Sequence, residues 1–303
     1  MPDGAGNSVT PSLQAVSADL RLAVLDGADP GTATARLGYL AGVVAAAGAD
    51  WSIFAGTEGA VLARLVLRAL DRLSPGVVGR RLGALRVEAA SRVRAAGASA
   101  RGQRVGSGEV EAGMPEPSHA GFFGLDLWTL RHRRFDGRMS PKLRREVFVM
   151  GDAVTVLPYD PARDRVLLIE QLRMGPLGRG DPLPWQLEAI AGRIDPGETP
   201  EAAARREAVE EAGLLLGALE QVAEYYPTPG AVTEYLYSYV ALCDLPDGVA
   251  GVHGAAAEAE DIQGHLVSFD RLVELLASGE IGNAPLLLTV LWLQRERARL
   301  RGT

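Results

Sequence analysis

Three glutamates, Glu207, Glu210 and Glu211, lie close together in the segment Gly192 to Leu214, which reads GRIDPGETPEAAARREAVEEAGL. On a helix advancing about 100° per residue, steps of three and four residues put all three carboxylates on one face. Like charges at that spacing repel, so an isolated helix carrying them is destabilised unless something offsets the charge. A hard divalent cation bound through oxygen, Mg²⁺ or Mn²⁺, is the natural candidate. Glu198 sits just upstream in a Pro-Gly loop, and Arg206 is placed to pair with a carboxylate and fix that loop against the helix. The competing reading is a solvated surface helix with acidic decoration, but that leaves the ordered spacing of loop, arginine and glutamates unexplained.

The elements that must position these groups are also readable. Thr199 suits a helix N-cap and Pro200 the first helical position, where its missing N–H costs nothing. Gly213 is placed to end the helix in the left-handed conformation. Strands are predicted at Leu125 to Leu130, Glu146 to Met150, Ala153 to Tyr159, Val166 to Gln171 and Trp185 to Ile190. Further strands are predicted near Leu219 to Tyr226, Tyr235 to Leu242 and Ile262 to Val267, with closing helices at about Asp270 to Ala277 and Ala284 to Arg299. Strands interleaved with helices imply an α/β sandwich with a mixed sheet. Ahead of it, residues 1–12 read as a disordered tail. Residues 13–98 read as a helical accessory domain, because apolar residues recur at helical spacing (Leu62, Leu65, Leu67, Leu70, Leu73). Residues 99–120, rich in Gly, Ser, Pro and Glu, read as a linker, which leaves 121–303 as the domain that carries the glutamate segment.

Composition bounds the function. The 303 residues carry a formal net charge of -7, with 47% hydrophobic and 23% charged residues. That acidic balance argues against nucleic-acid or anionic-membrane partners, which need basic surface, and leaves room for a small phosphorylated ligand. The arginines of 80–94 read as a solvated helix face. Cys243 is the single cysteine, so neither a disulfide framework nor a cysteine-based zinc site is available, and a cytoplasmic setting is expected.

The Gly192–Leu214 segment resembles the Nudix box, Gx5Ex7REUxEExGU with U aliphatic, at Gly192, Glu198, Arg206, Glu207, Glu210, Glu211, Gly213 and Leu214. Ala208, small but apolar, fills the first U. The resemblance implies a Nudix α/β/α sandwich and metal-dependent attack of water on a pyrophosphate. Glu207, Glu210 and Glu211 would be metal ligands, with Glu207 and Glu211 in the catalytic centre and Gly192, Glu198, Arg206 and Gly213 structural. The chain from about Gly121 to Arg299 looks most like bacterial ADP-ribose pyrophosphatases, with Pro229 at the proline typical of that branch. The likeness implies adenine stacking on Phe122, nucleotide contacts from Arg145 and Glu146, phosphate pairing by Arg173 and an extra metal ligand in the Ala191 carbonyl. In the loop 253–261 it implies a catalytic base, Glu258, and a further ligand, Glu260, two roles that are exchangeable. It also implies a nucleoside diphosphate substrate and a homodimer. A GDP-mannose pyrophosphatase or a non-catalytic ADP-ribose sensor are the alternatives, the latter disfavoured by the complete set of box glutamates.

Overall fold

The structure, a computed structural model, describes residues 10–97, 109–254 and 260–302. The expected tail lies, apart from its last residues, outside them. Packing divides the chain into two compact units, Met1–Gly151 with Thr228–Thr233, and Asp152–Pro227 with Glu234–Thr303.

The first unit opens with helices α1 (Ala18–Leu25), α2 (Pro30–Ala47), α3 (Gly56–Leu67), α4 (Pro75–Gly79) and α5 (Leu82–Gly97). Their ends follow from local chemistry. Asp29 accepts from the Thr32 amide to cap α2, Pro30 starts it, and Gly48 ends it at φ +62°. Leu37, Leu40, Val44, Phe54, Leu62 and Val66 meet in its apolar core. A sheet follows, built from β1 (Val110–Ala112), β2 (Glu116–Ala120), β3 (Gly124–His132) and β4 (Leu143–Val149). Strand β3 pairs antiparallel with the other three. The described end of the expected linker is therefore strand. Residues 110–112 are all exposed, so no apolar alternation marks them, and it is pairing with β3 that makes them strands.

The second unit is a mixed sheet in the order β11-β12-β6-β5-β10-β9. Its strands are β5 (Ala153–Asp160), β6 (Arg165–Leu172), β9 (Leu219–Tyr225), β10 (Leu236–Leu242), β11 (Val252–His253) and β12 (Ile262–Ser268). After a short helix α6 (Met174–Arg179), two short strands, β7 (Trp185–Glu188) beside β6 and β8 (Ile190–Arg193) beside β5, replace the single strand expected there. Only β5 and β10 pair in parallel among the described ladders of this sheet. Helix α7 (Pro200–Ala212) packs Ala203, Ala204, Ala208 and Ala212 on one sheet face, against Val154, Val156 and Ile190. Helices α8 (Phe269–Ser278) and α9 (Ala284–Arg301) cover the other face with Leu272, Leu286, Val290 and Leu293. Alternation along β5 sends Val154 and Val156 one way, Leu157 and Tyr159 the other. This is the expected α/β/α sandwich. No helix among the described residues is long and apolar enough to cross a membrane.

Candidate active site on helix α7

Helix α7 forms as its sequence dictates. The Thr199 hydroxyl accepts from the Ala202 amide at 3.2 Å. At the other end Gly213 lies at φ +63°, with its amide donating to Val209 and that of Leu214 to Ala208. The apolar stripe is alanine, so the helix approaches the sheet closely and its carboxylates are carried down with it. Glu207 and Glu211 are buried, 9% and 3% exposed, whereas Glu210 stands at the exposed flank.

Gly192 on β8 makes room for this approach. A Cβ there would lie 1.8 Å from Glu207 Oε1, so a glycine is required beneath the carboxyl. One residue earlier, the Ala191 amide donates to Glu211 Oε2 at 3.0 Å. Arg206 ties loop to helix through every N–H-bearing atom of its guanidinium. Its Nε and Nη2 donate to the two oxygens of Glu198 at 3.1 and 3.0 Å. Its Nη2 also reaches the Arg193 carbonyl at 2.8 Å, and Nη1 donates to Glu207 at 2.6 Å and Glu210 at 3.0 Å. Such a planar fork suits carboxylates in a way a lysine does not.

The electrostatics follow the burial. Loss of water pushes the Glu207 carboxyl up to about 7, Arg206 pulling it back and Glu210 and Glu260 adding to the rise. Burial likewise pushes Glu211 up to about 8, with the Ala191 amide opposing and Glu207 and Glu260 reinforcing. Burial works to raise Glu198 too, but Arg206 and the Asp195 amide outweigh it and hold that carboxyl below its ordinary value. Arg173 lies in the same field. It is paired through Nε with Glu188 Oε2 at 2.7 Å, and that carboxylate outweighs burial to raise the guanidinium's affinity for its proton. Local sequence marks neither Glu188, which gains its place through the pairing of β7 with β6, nor the half-buried Glu234, whose carboxyl burial pushes up while Arg193 and Arg173 pull it back.

Among the described residues no group of three or more His, Cys, Asp or Glu side chains is arranged to hold a metal ion, and Glu258 lies outside those residues. The donor chemistry fits one nonetheless. Buried, mutually repelling carboxylates that take up protons near neutrality are groups that a bound dication would neutralise, and all-oxygen donors suit Mg²⁺ or Mn²⁺. His265 Nε2 lies 2.8 Å from Glu170 Oε2, a contact between β12 and β6.

The candidates for the nucleoside end belong to the first unit. Phe122 is 75% exposed and meets Phe123 edge-on at 4.8 Å, and Phe123 packs against Phe148 at 4.9 Å. Arg145 and Glu146 are exposed on β4, opposite Trp128 and Leu127 of β3. The loop carrying Pro229 is held to β4 by Phe148, whose amide donates to the Ala231 carbonyl, and by Thr233, which bonds the Met150 amide and carbonyl.

A NUDIX domain is matched over residues 150–290. The chain is 41% identical over 196 residues to an ADP-ribose pyrophosphatase of Escherichia coli (strain K12), covering 65% of this chain and 93% of that protein. It is 33% identical over 195 residues to an ADP-ribose pyrophosphatase of Haemophilus influenzae, covering 64% and 89%. A GDP-mannose pyrophosphatase of Enterobacter sp. (strain 638) is 33% identical over 151 residues, covering 50% and 78%. The chain belongs to the Nudix family and is a Nudix hydrolase.

Proposed function

We propose that this enzyme hydrolyses the pyrophosphate of ADP-ribose to AMP and ribose 5-phosphate. The observation that carries the reading is the buried pair Glu207 and Glu211, the first pressed onto Gly192 and clamped by Arg206, the second held by the Ala191 amide. The 41% identity to an ADP-ribose pyrophosphatase over nearly its whole length directs the substrate assignment. Glu207, Glu210, Glu211, Glu260 and the Ala191 carbonyl would hold Mg²⁺, or Mn²⁺ in its place. When bound, the metal neutralises diphosphate charge and makes water more acidic. Arg173 binds a phosphate oxygen and keeps its guanidinium aimed by Glu188. Glu258 accepts the proton of the attacking water, a role it exchanges with Glu260 in the second form of this assignment. Arg206 touches no substrate and fixes Glu207, Glu210 and Glu198 relative to one another. Phe122, Arg145, Glu146 and Pro229 serve the adenosine end. A cytoplasmic homodimer completes the reading, with domain limits of 13–98 for the helical region and 121–303 for the hydrolase.

The likeness to GDP-mannose pyrophosphatases supports one second reading, the same chemistry on GDP-mannose. Turnover of the purified protein with Mg²⁺ on ADP-ribose, GDP-mannose, ADP-glucose and NADH separates them. The highest kcat/KM is expected with ADP-ribose. Preference for GDP-mannose keeps the cleavage chemistry and removes the adenosine assignments.

A further inference from the structure

The helical region and the hairpin that bears Phe122 belong to one compact unit, and the contacts between them are specific. Strands β2 and β3 are joined by Gly121, Phe122 and Phe123, with the Gly121 amide donating to the Phe123 carbonyl at 3.1 Å. Arg81, between α4 and α5, places its Nε 2.9 Å from the Gly121 carbonyl. The same guanidinium lies over the strand start, since a Cβ on Gly124 would come within 3.3 Å of Arg81 Nη2. Nearby, Arg68 at the C-cap of α3 pairs with Asp126 of β3 at 2.5 Å, both side chains under a tenth exposed, and reaches Glu88 of α5 at 3.7 Å. Helix α5 meets the end of this sheet as well, because a Cβ on Gly151 would fall 2.2 Å from Val87 Cγ1. The small cleft between them carries two arginines and two carboxylates, Arg68, Arg81, Glu88 and Asp126, so its charges balance and offer no surplus for an anion. What this arrangement fixes is the turn 121–123.

We infer that Arg81 is a positioning residue for the nucleoside-binding end of the site: from the helical region it holds the Gly121 carbonyl, and thereby the turn that presents Phe122. This rests on the assignment of Phe122 to the base in the reading above. A turn pinned at one carbonyl by a charged donor keeps an exposed aromatic pre-ordered, so less ordering is required when a base stacks on it. The helical region is then part of the binding apparatus without touching substrate. The effect belongs in KM, because the base is held equally before and during cleavage at the distant pyrophosphate.

The test is a double-mutant cycle of Arg81→Met and Phe122→Ala in the full chain, with kcat, KM and Tm measured for the nucleoside diphosphate sugar that the wild type turns over best. Arg81→Met is expected to raise KM about tenfold with kcat within about twofold, the scale of one lost charge-assisted hydrogen bond. In the Phe122→Ala background the same change should add nothing, since both act through one aromatic ring. Arg81→Lys, which retains a donor, should fall between. A raised KM for Phe122→Ala beside a wild-type KM for Arg81→Met overturns the inference alone, even if Tm drops; full additivity overturns it too, by showing a merely structural part. A wild-type KM for Phe122→Ala removes the base assignment and the inference together. Should Arg81→Met fail to fold, Arg81→Lys carries the decision: a raised KM supports the inference and an unchanged KM defeats it.

Discussion

Gly192 shows how little freedom the chemistry of single residues leaves at this site. It is needed because a buried carboxyl occupies the space its side chain would take, 1.8 Å from where a Cβ would stand. The displaced atoms are the carboxyl end of Glu207 rather than backbone, so Gly192→Ala should lower thermal stability modestly while moving a carboxylate by about an ångström. A misplacement of that size costs about 10²-fold in rate, and kcat measured beside Tm checks the split; an equal loss of both would mean that the glycine serves the fold alone. The three box glutamates were legible in the sequence because helix geometry converts their spacing directly into a shared face, and Gly192 through the resemblance to the Nudix box. Arg81 and Glu188 were not, because the Gly121 carbonyl and Arg173 lie 40 and 15 residues away in the chain and meet them only after tertiary pairing.

Two elements test the account at the next scale. Helix α7 ends at Gly213 in the left-handed region, and its C-terminal amides close back on Ala208 and Val209. Gly213→Ala should cost about 1 kcal/mol of stability, read from denaturant unfolding; a change within error would show that the cap is dispensable. Helix α9 is fastened to the β5–β6 turn by Asp164, which accepts from Arg297, Arg301 and the Tyr159 hydroxyl and lies at φ +53°. Arg297 chiefly, with burial opposing it, holds the Asp164 carboxyl well below the ordinary 3.8. A carboxyl lowered in the folded state stabilises fully above its ordinary value, and that stabilisation is lost as pH falls through the lower folded value. Asp164→Asn, which tolerates the left-handed backbone, should therefore lower stability at neutral pH and flatten its decline below about pH 4; parallel pH profiles for variant and wild type would contradict this. The ends of α7 were readable from capping residues, and the strands β5 and β6 and the closing helices from apolar periodicity. Strands β1 and β2 were not, since a Gly-, Ser- and Pro-rich stretch, exposed throughout 110–112, carries no period-two signal and owes its conformation to β3.

For the whole molecule, packing gives two compact units: Phe122, Arg145, Glu146 and Pro229 belong to one, and the box, Arg173 and Glu260 to the other. The sequence made the second unit legible as a Nudix hydrolase because one contiguous motif carries its chemistry. It left the helical region without a task, because that region has no motif and its contribution depends on what it packs against. The central claim concerns the chemistry of the box, and it is tested most directly with ADP-ribose, Mg²⁺ and the conservative variant Glu211→Gln, the products being identified by chromatography. The account predicts equimolar AMP and ribose 5-phosphate from the wild type and no turnover in chelator. For Glu211→Gln it predicts a kcat/KM lower by about 10²–10³-fold, or about 3–4 kcal/mol of transition-state stabilisation. Near-normal turnover by Glu211→Gln, or full wild-type activity in chelator, would contradict it.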